Sequence, residues 1–85
     1  MKNIIIFGVG KFGEDAFTFY NSQNDINILA FSDNNTIKHN AFFNDIDVIK
    51  PNHISDFEFD EVLIASSFDD EIYTQLLNMG IDKKK

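Results

Sequence analysis

The chain opens on a run that leaves few folds available: Ile4-Ile5-Ile6-Phe7, followed at once by Gly8, Gly10 and Gly13 in the spacing G-x-G-x-x-G. Bulky, β-branched residues with no polar alternation fit a strand buried on both faces of a parallel sheet. When such a strand ends in glycine and gives way to helical spacing, the pattern is that of the first strand–helix unit of an α/β layer structure. From Lys11 to about Ser22 the spacing is helical, and Phe12, Ala16, Phe19 and Tyr20 are the expected inward stripe.

The remainder continues the alternation. Ile26 to Ser32 is a second strand, closed by the turn-forming Asp33-Asn34-Asn35. Thr36 to Asn44 shows no period and is expected to be an irregular loop. Ile46 to Ile49 is a short strand at or near a sheet edge, stopped by Pro51, and His53 to Phe57 is a single helical turn. Glu61 to Ala65 is the last strand. Ser67 is the expected N-cap of a second helix, with Asp70 reaching back. Ile72, Leu76 and Met79 form the inward stripe of that helix, with Leu77 beside it, and Gly80 is its left-handed stop. The order β-α-β-(β)-β-α with right-handed crossovers predicts a small three-layer α/β domain with a mostly parallel sheet. The first strand is central, and ligands of such sheets bind at the carboxyl ends of the strands flanking the point where strand order reverses.

Chain length sets the scale. At 85 residues the sequence is one domain, and a chain of this size buries only roughly 60–65% of its unfolded surface. A hydrophobic content of 44% with ten Phe still supports a packed core. The net charge of −7 argues against nucleic acid as a partner, because neutralising phosphates takes clustered Lys and Arg. The one basic run, Lys83-Lys84-Lys85, is expected to be a solvated tail. Cysteine is absent, no secretory leader is apparent, and no apolar run approaches the roughly 18 residues of a membrane span. A cytoplasmic protein without a membrane span in this stretch is the expectation.

The glycine loop carries two readings. For a bound phosphate, Gly8 permits the tight turn, Gly10 lets a pyrophosphate approach the backbone, and Gly13 lets the helix pack against the strand. The N–H groups of the helix start then face the anion. Alternatively, the glycines serve packing alone. Asp33 adds weight to the first reading, since an acidic residue about 20 residues beyond the motif accepts from ribose hydroxyls; Asp-Asn-Asn is also ordinary turn chemistry. Lys11 is placed to meet a phosphate as a point charge, with Phe12 beside it. Ser66 lines the same crevice, while Ser67 caps. His39 and His53 fall in different loops without the further ligands a metal needs. The alternation of Asp56, Glu58, Asp60 and Glu61 with Phe57 and Phe59 describes a solvated face over inward rings. No catalytic residue is legible.

IIIFGVGKFG, ILAFSDNN, DVIKP and DEVLIASSFDDEIYTQLLNMGI together resemble the nucleotide-binding Rossmann-like N-terminal module of bacterial saccharide biosynthesis proteins. These include nucleoside-diphosphate-sugar epimerase/dehydratase-like proteins, sugar acyltransferases, and capsule methyltransferases and glycosyltransferases. The resemblance runs from Lys2 to Ile81 and places Gly8, Gly10 and Gly13 on the family's phosphate loop and Asp33 on its acidic position. Sugar acyltransferases of this kind often carry a histidine in the loop, where this chain has Lys11-Phe12. The Tyr-x-x-x-Lys pair of short-chain epimerases and hexapeptide repeats are both missing from the sequence. What the resemblance implies is a module that binds a nucleotide or nucleotide-sugar, of the UDP type in preference to NAD. It would not be catalytic alone and would form the N-terminal part of a longer polysaccharide-synthesis protein, with a downstream catalytic domain as partner. Two alternatives stay open: the NAD-binding part of a sugar-nucleotide epimerase or dehydrogenase, and a non-binding docking or dimerisation module in a homo-oligomer.

Overall fold

The computed structural model describes residues 1–35 and 42–81. The elements are β1 (Lys2–Phe7), α1 (Lys11–Asn21), β2 (Ile26–Ser32), β3 (Phe42–Phe43), β4 (Ile46–Ile49), a 3-10 helix (Pro51–Asp56), β5 (Glu61–Ile64) and α2 (Asp69–Asn78). One sheet runs β3-β4-β2-β1-β5. β1 pairs in parallel with both β2 and β5, and β2 in parallel with β4. Among the described residues only the two-residue β3 is antiparallel. The α/β, Rossmann-like architecture expected from the sequence is therefore the fold; β1 is flanked by β2 and β5 as expected, but β2, not β1, is the middle strand, because β3 and β4 both add on the β2 side.

Alternation along β1 divides the core in two. Ile4 and Ile6 point to one face with Val9, Phe31 and Val48, and the α1 residues Ala16, Phe17 and Tyr20 pack onto them. Ile5 and Phe7 point to the other face with Ile54, Val62, Ile72, Leu76 and Ile81. β1 is thus covered on both sides, which is why its sequence reads as an unbroken apolar run. The rings of Phe17, Phe31 and Phe43 meet in sequence across the first face, with centroids 6.1 and 4.9 Å apart.

Several local expectations are corrected. In α1 the inward residues are Gly13, Ala16, Phe17 and Tyr20, while Phe12 and Phe19 are 56% and 61% exposed. Two apolar stripes lie one residue apart on this helix. The one containing Gly13 faces inward because only that register lets the helix approach the loop beneath it. The second helix starts at Asp69 with Phe68 at the N-cap and no side-chain cap, so Ser67 is not its capping residue. Ser66 Oγ instead accepts the Phe68 N–H at 3.1 Å. Ile72 and Leu76 are buried as expected, whereas Met79 is 39% exposed.

The helix stop follows the sequence reading. Gly80 has φ 81°, its N–H donates to Leu77 O at 3.0 Å, and the Ile81 N–H donates to Leu76 O at 3.0 Å. That pair of bonds, with Ile81 buried, is a Schellman stop. The expected loop over Thr36 to Asn44 falls partly outside the described residues, as do His39 and Lys83-Lys84-Lys85. Its end is a hairpin: Phe43 pairs with Ile46 across Asn44 (φ 55°) and Asp45 (φ 64°). Two successive left-handed residues are the mark of a tight type I′ connection, for which Asn and Asp are suited.

Candidate functional site

The carboxyl ends of β1, β2 and β5 meet around the glycine loop. Gly8 N–H donates to Ser32 O at 2.7 Å, and Ala65 N–H donates to Phe7 O at 2.8 Å, so the loop is fastened to both neighbours of β1. Two of the three glycines are there because nothing else fits. Gly8 has φ 131°, and a Cβ built on it would lie 2.1 Å from Ala65 O. A Cβ on Gly13 would lie 2.1 Å from Gly8 O.

Gly10 differs from both. It is exposed, its φ of −121° is open to any residue, and a Cβ built on it would have nothing within 4 Å. Packing explains Gly8 and Gly13; it does not explain Gly10. The space over Gly10 is where a third glycine would let a pyrophosphate come down on the backbone.

The loop leads directly into α1, whose first turn has no side-chain cap. Its free N–H groups and the positive end of the helix dipole form an anion-favouring corner. Lys11 stands at that corner, exposed and 3.7 Å from Asp15, an ion pair too open to hold it. Asp33 lies across the crevice, with one carboxylate oxygen accepting the Val9 N–H at 2.9 Å and the other accepting the Asn35 N–H at 2.8 Å. Both sequence readings of Asp33 meet here: it makes the turn and also holds the glycine loop.

The structure thus brings together Gly8, Gly10, Lys11, Phe12, Asp33 and Ser66 around one hollow of about 270 Å³. Gly13 stands behind it, buried, as the helix contact. An adjoining cleft of about 380 Å³ shares Gly8, Asp33, Ser66 and Phe68, and extends between the end of β2 and α2. Sequence reasoning missed the α2 wall of that cleft: Phe68, Glu71, Ile72 and Gln75. Their i, i+3, i+4, i+7 spacing marks one helix face, and Gln75 drew no notice because only apolar stripes were sought. His53 is elsewhere, 3.7 Å from Asp56 on the 3-10 helix. Among the described residues no group of three or more His, Cys, Asp or Glu is arranged to hold a metal, and no helix is long and apolar enough to cross a membrane.

Solved structures share this fold. UDP-D-quinovosamine 4-dehydrogenase from Vibrio fischeri superposes with a TM-score of 0.74 at 21% identity, over 91% of this chain and 70% of that one. RSP, a Rex-family repressor, superposes at 0.71 and 24% identity, over 95% of this chain and 42% of that one. RSP in complex with beta-NAD+ and operator DNA gives 0.69 at 21% identity, over 95% and 41%. At these identities the likeness establishes the fold, and this chain spans less than half of RSP. No curated protein matches the sequence. The profile of the family described as C2185-like, N-terminal matches residues 1–85, and the chain belongs to that family.

Proposed function

We propose that this chain is a nucleotide-binding module that seats the diphosphate of a nucleotide or nucleotide-sugar over Gly10. The carrying observation is that Gly10 alone of the three loop glycines has neither a close neighbour nor an unusual φ to account for it. The uncapped start of α1 and Lys11 supply the positive field, and Asp33 lies where a ribose would follow. Gly8, Gly10, Lys11, Phe12, Gly13, Asp33 and Ser66 form the binding set, and no residue is assigned a catalytic role.

The favoured ligand is of the UDP type, and the favoured setting is bacterial polysaccharide or glycan synthesis, with residues 1–85 as the N-terminal domain of a longer protein. The family's N-terminal description and the likeness to a UDP-sugar dehydrogenase support this reading. NAD is the second reading, because RSP was solved with beta-NAD+ and with beta-NADH. Operator DNA in one RSP structure is not carried over to this chain, whose net charge is −7.

The test is titration of UDP, UDP-sugars and NAD into the wild type and Gly10→Val, followed by calorimetry or amide chemical shifts. Saturable shifts across Gly8 to Gly13, lost in Gly10→Val, are expected. The helix-capping preference of Gly over Val costs the variant about 1 kcal/mol or less, so its fold survives. If none of these ligands saturates the wild type, the proposal is wrong.

A further inference from the structure

The cleft beside the glycine loop is bounded on one rim by a feature that phosphate binding does not use. Asn34, just past β2, and Gln75, on α2, are joined amide to amide, though they are 41 residues apart in sequence. Asn34 Nδ2 donates to Gln75 Oε1 at 2.9 Å, and Gln75 Nε2 donates to Asn34 Oδ1 at 2.9 Å. Both residues line the 380 Å³ cleft. The pair is exposed, so water competes for both bonds, and ordering the long Gln75 side chain opposes them. Holding α2 in place is a poor account of it, because buried Ile72 and Leu76 already anchor that helix.

The cleft's chemistry selects what enters it. Phe7 and Ile72 give it an apolar body, and Phe68, 67% exposed, stands at its mouth. Its charged groups are the carboxylates of Asp33 and Glu71. These disfavour phosphate here and confine an anion to the Gly10 side, where Lys11 and the start of α1 lie. The group that suits the cleft is neutral and flat, with a donor and an acceptor side by side on one edge. Carboxamides are the side chains that present that complement, as in bidentate recognition of a base by Asn or Gln.

We propose that Asn34 and Gln75 form a strap over a nucleobase subsite and determine which base it takes. On binding, amide–amide bonds are exchanged for bonds to the base edge, so the number of hydrogen bonds is conserved, while the Phe68 ring offers a stacking surface. The inference rests on the nucleotide reading of the Gly10 loop.

ADP, UDP, CDP and GDP are titrated into the wild type, Asn34→Ala, Gln75→Ala and Gln75→Glu, with thermal unfolding as the control for folding. The wild type ranks the four bases. Each alanine variant removes one of the two bonds to the base and loses about fivefold for the best-bound base, the scale of a single hydrogen bond, and the ranking flattens. Gln75→Glu keeps the length, removes the donor and reorders the ranking. Equal weakening of all four nucleotides, or no weakening, overturns the strap while leaving the loop reading intact. If the wild type binds none of the four, the strap falls; if UDP-sugars and NAD fail as well, the loop reading falls with it.

Discussion

At the amino ends of β1 and β5, polar groups answer one another. Asn3 N–H donates to Asp60 Oδ2 at 2.7 Å, Asp60 N–H returns to Asn3 O at 2.7 Å, and Asn27 Nδ2 donates to Asn3 Oδ1 at 3.1 Å. Lys2 N–H donates to Asp25 O at 2.8 Å, and the Lys2 ammonium pairs with Glu61. At the carboxyl ends, the same strand runs into a glycine loop with open space above Gly10 and then a helix whose first turn no side chain caps. The amino end has the larger hollow, about 530 Å³ against 380 Å³. Size does not decide between them. The larger hollow is lined by carboxylates of Glu58 and Asp60 and by backbone already paired, whereas the smaller one adjoins donors left over from the fold. A parallel sheet creates this asymmetry, because every strand ends on the same side and every following helix starts there.

The largest expected effect breaks the loop itself. Gly8→Ala and Gly13→Ala each place a methyl about 2 Å from a backbone carbonyl that cannot move alone, and Gly8→Ala adds the strain of a positive φ. A loss of about 3 kcal/mol or more is expected for Gly8→Ala and about 2–3 kcal/mol for Gly13→Ala, against a total of about 5–15 kcal/mol for a domain. Urea unfolding measures both. Gly10→Val, one turn away, should stay near the wild type, and a Gly10 variant as unstable as Gly8→Ala would remove the distinction between packing and binding glycines.

Next in size is Asp33→Ala. Removing a part-buried carboxylate takes away an acceptor of the Val9 N–H and costs about 1.5 kcal/mol of stability. Near an exposed crevice the ligand-side loss is also expected at the low end for a charged hydrogen bond, about tenfold in UDP affinity. The ranking of ligands decides between the two readings of function. UDP or its sugars should bind at least as well as NAD. NAD binding clearly tighter than every uridine nucleotide, with Asp33→Ala abolishing that preference, would favour the dinucleotide reading.

How much of this was legible follows from what each feature depends on. β1, β5 and the Gly80 stop depend on residues adjacent in sequence, and their patterns gave them away. The inward face of α1 did not, because Phe12-Ala16-Phe19-Tyr20 and Gly13-Ala16-Phe17-Tyr20 are both acceptable helical stripes. Contact between Gly13 and Gly8 O chose the second. The glycine loop and Asp33 were legible as a site, but the bond from Val9 to Asp33 and the Asn34–Gln75 pair join distant segments. Single-sequence periodicity contains no term for such pairs. The β3–β4 hairpin was missed because the expected loop ran through Asn44, the first residue of the turn, and no pairing was expected on its far side.

At the amino end, Asp60→Ala sharpens the contrast from the other side. It removes the acceptor of the Asn3 N–H, a solvent-exposed bond, and costs about 0.5–1 kcal/mol. Nucleotide affinity at the far end of β1 should not change. A parallel loss of binding, measured by the same calorimetric titration, would mean that the two ends are coupled through β1 and that the amino end is more than a tied-off terminus.

The smallest effect belongs to Lys2. Its ammonium is pulled above the ordinary value of 10.5 chiefly by the hydrogen bond to Glu61; desolvation opposes this, and the negative charge of that carboxylate adds a lesser upward pull. Since the folded-state value is raised, the pair's contribution is fully present below pH 10.5 and is lost as pH rises through the higher folded value. The Lys2 side chain is 47% exposed, so water and salt screen the pair and little stability rides on it. Lys2→Met should therefore shift the unfolding midpoint slightly at neutral pH, the difference shrinking with added salt and vanishing in strong alkali. A large, salt-insensitive loss at neutral pH would show that Glu61, only 15% exposed, depends on Lys2 for its charge to be tolerated at the start of β5. The amino end would then be held by one ion pair instead of by its network of backbone bonds.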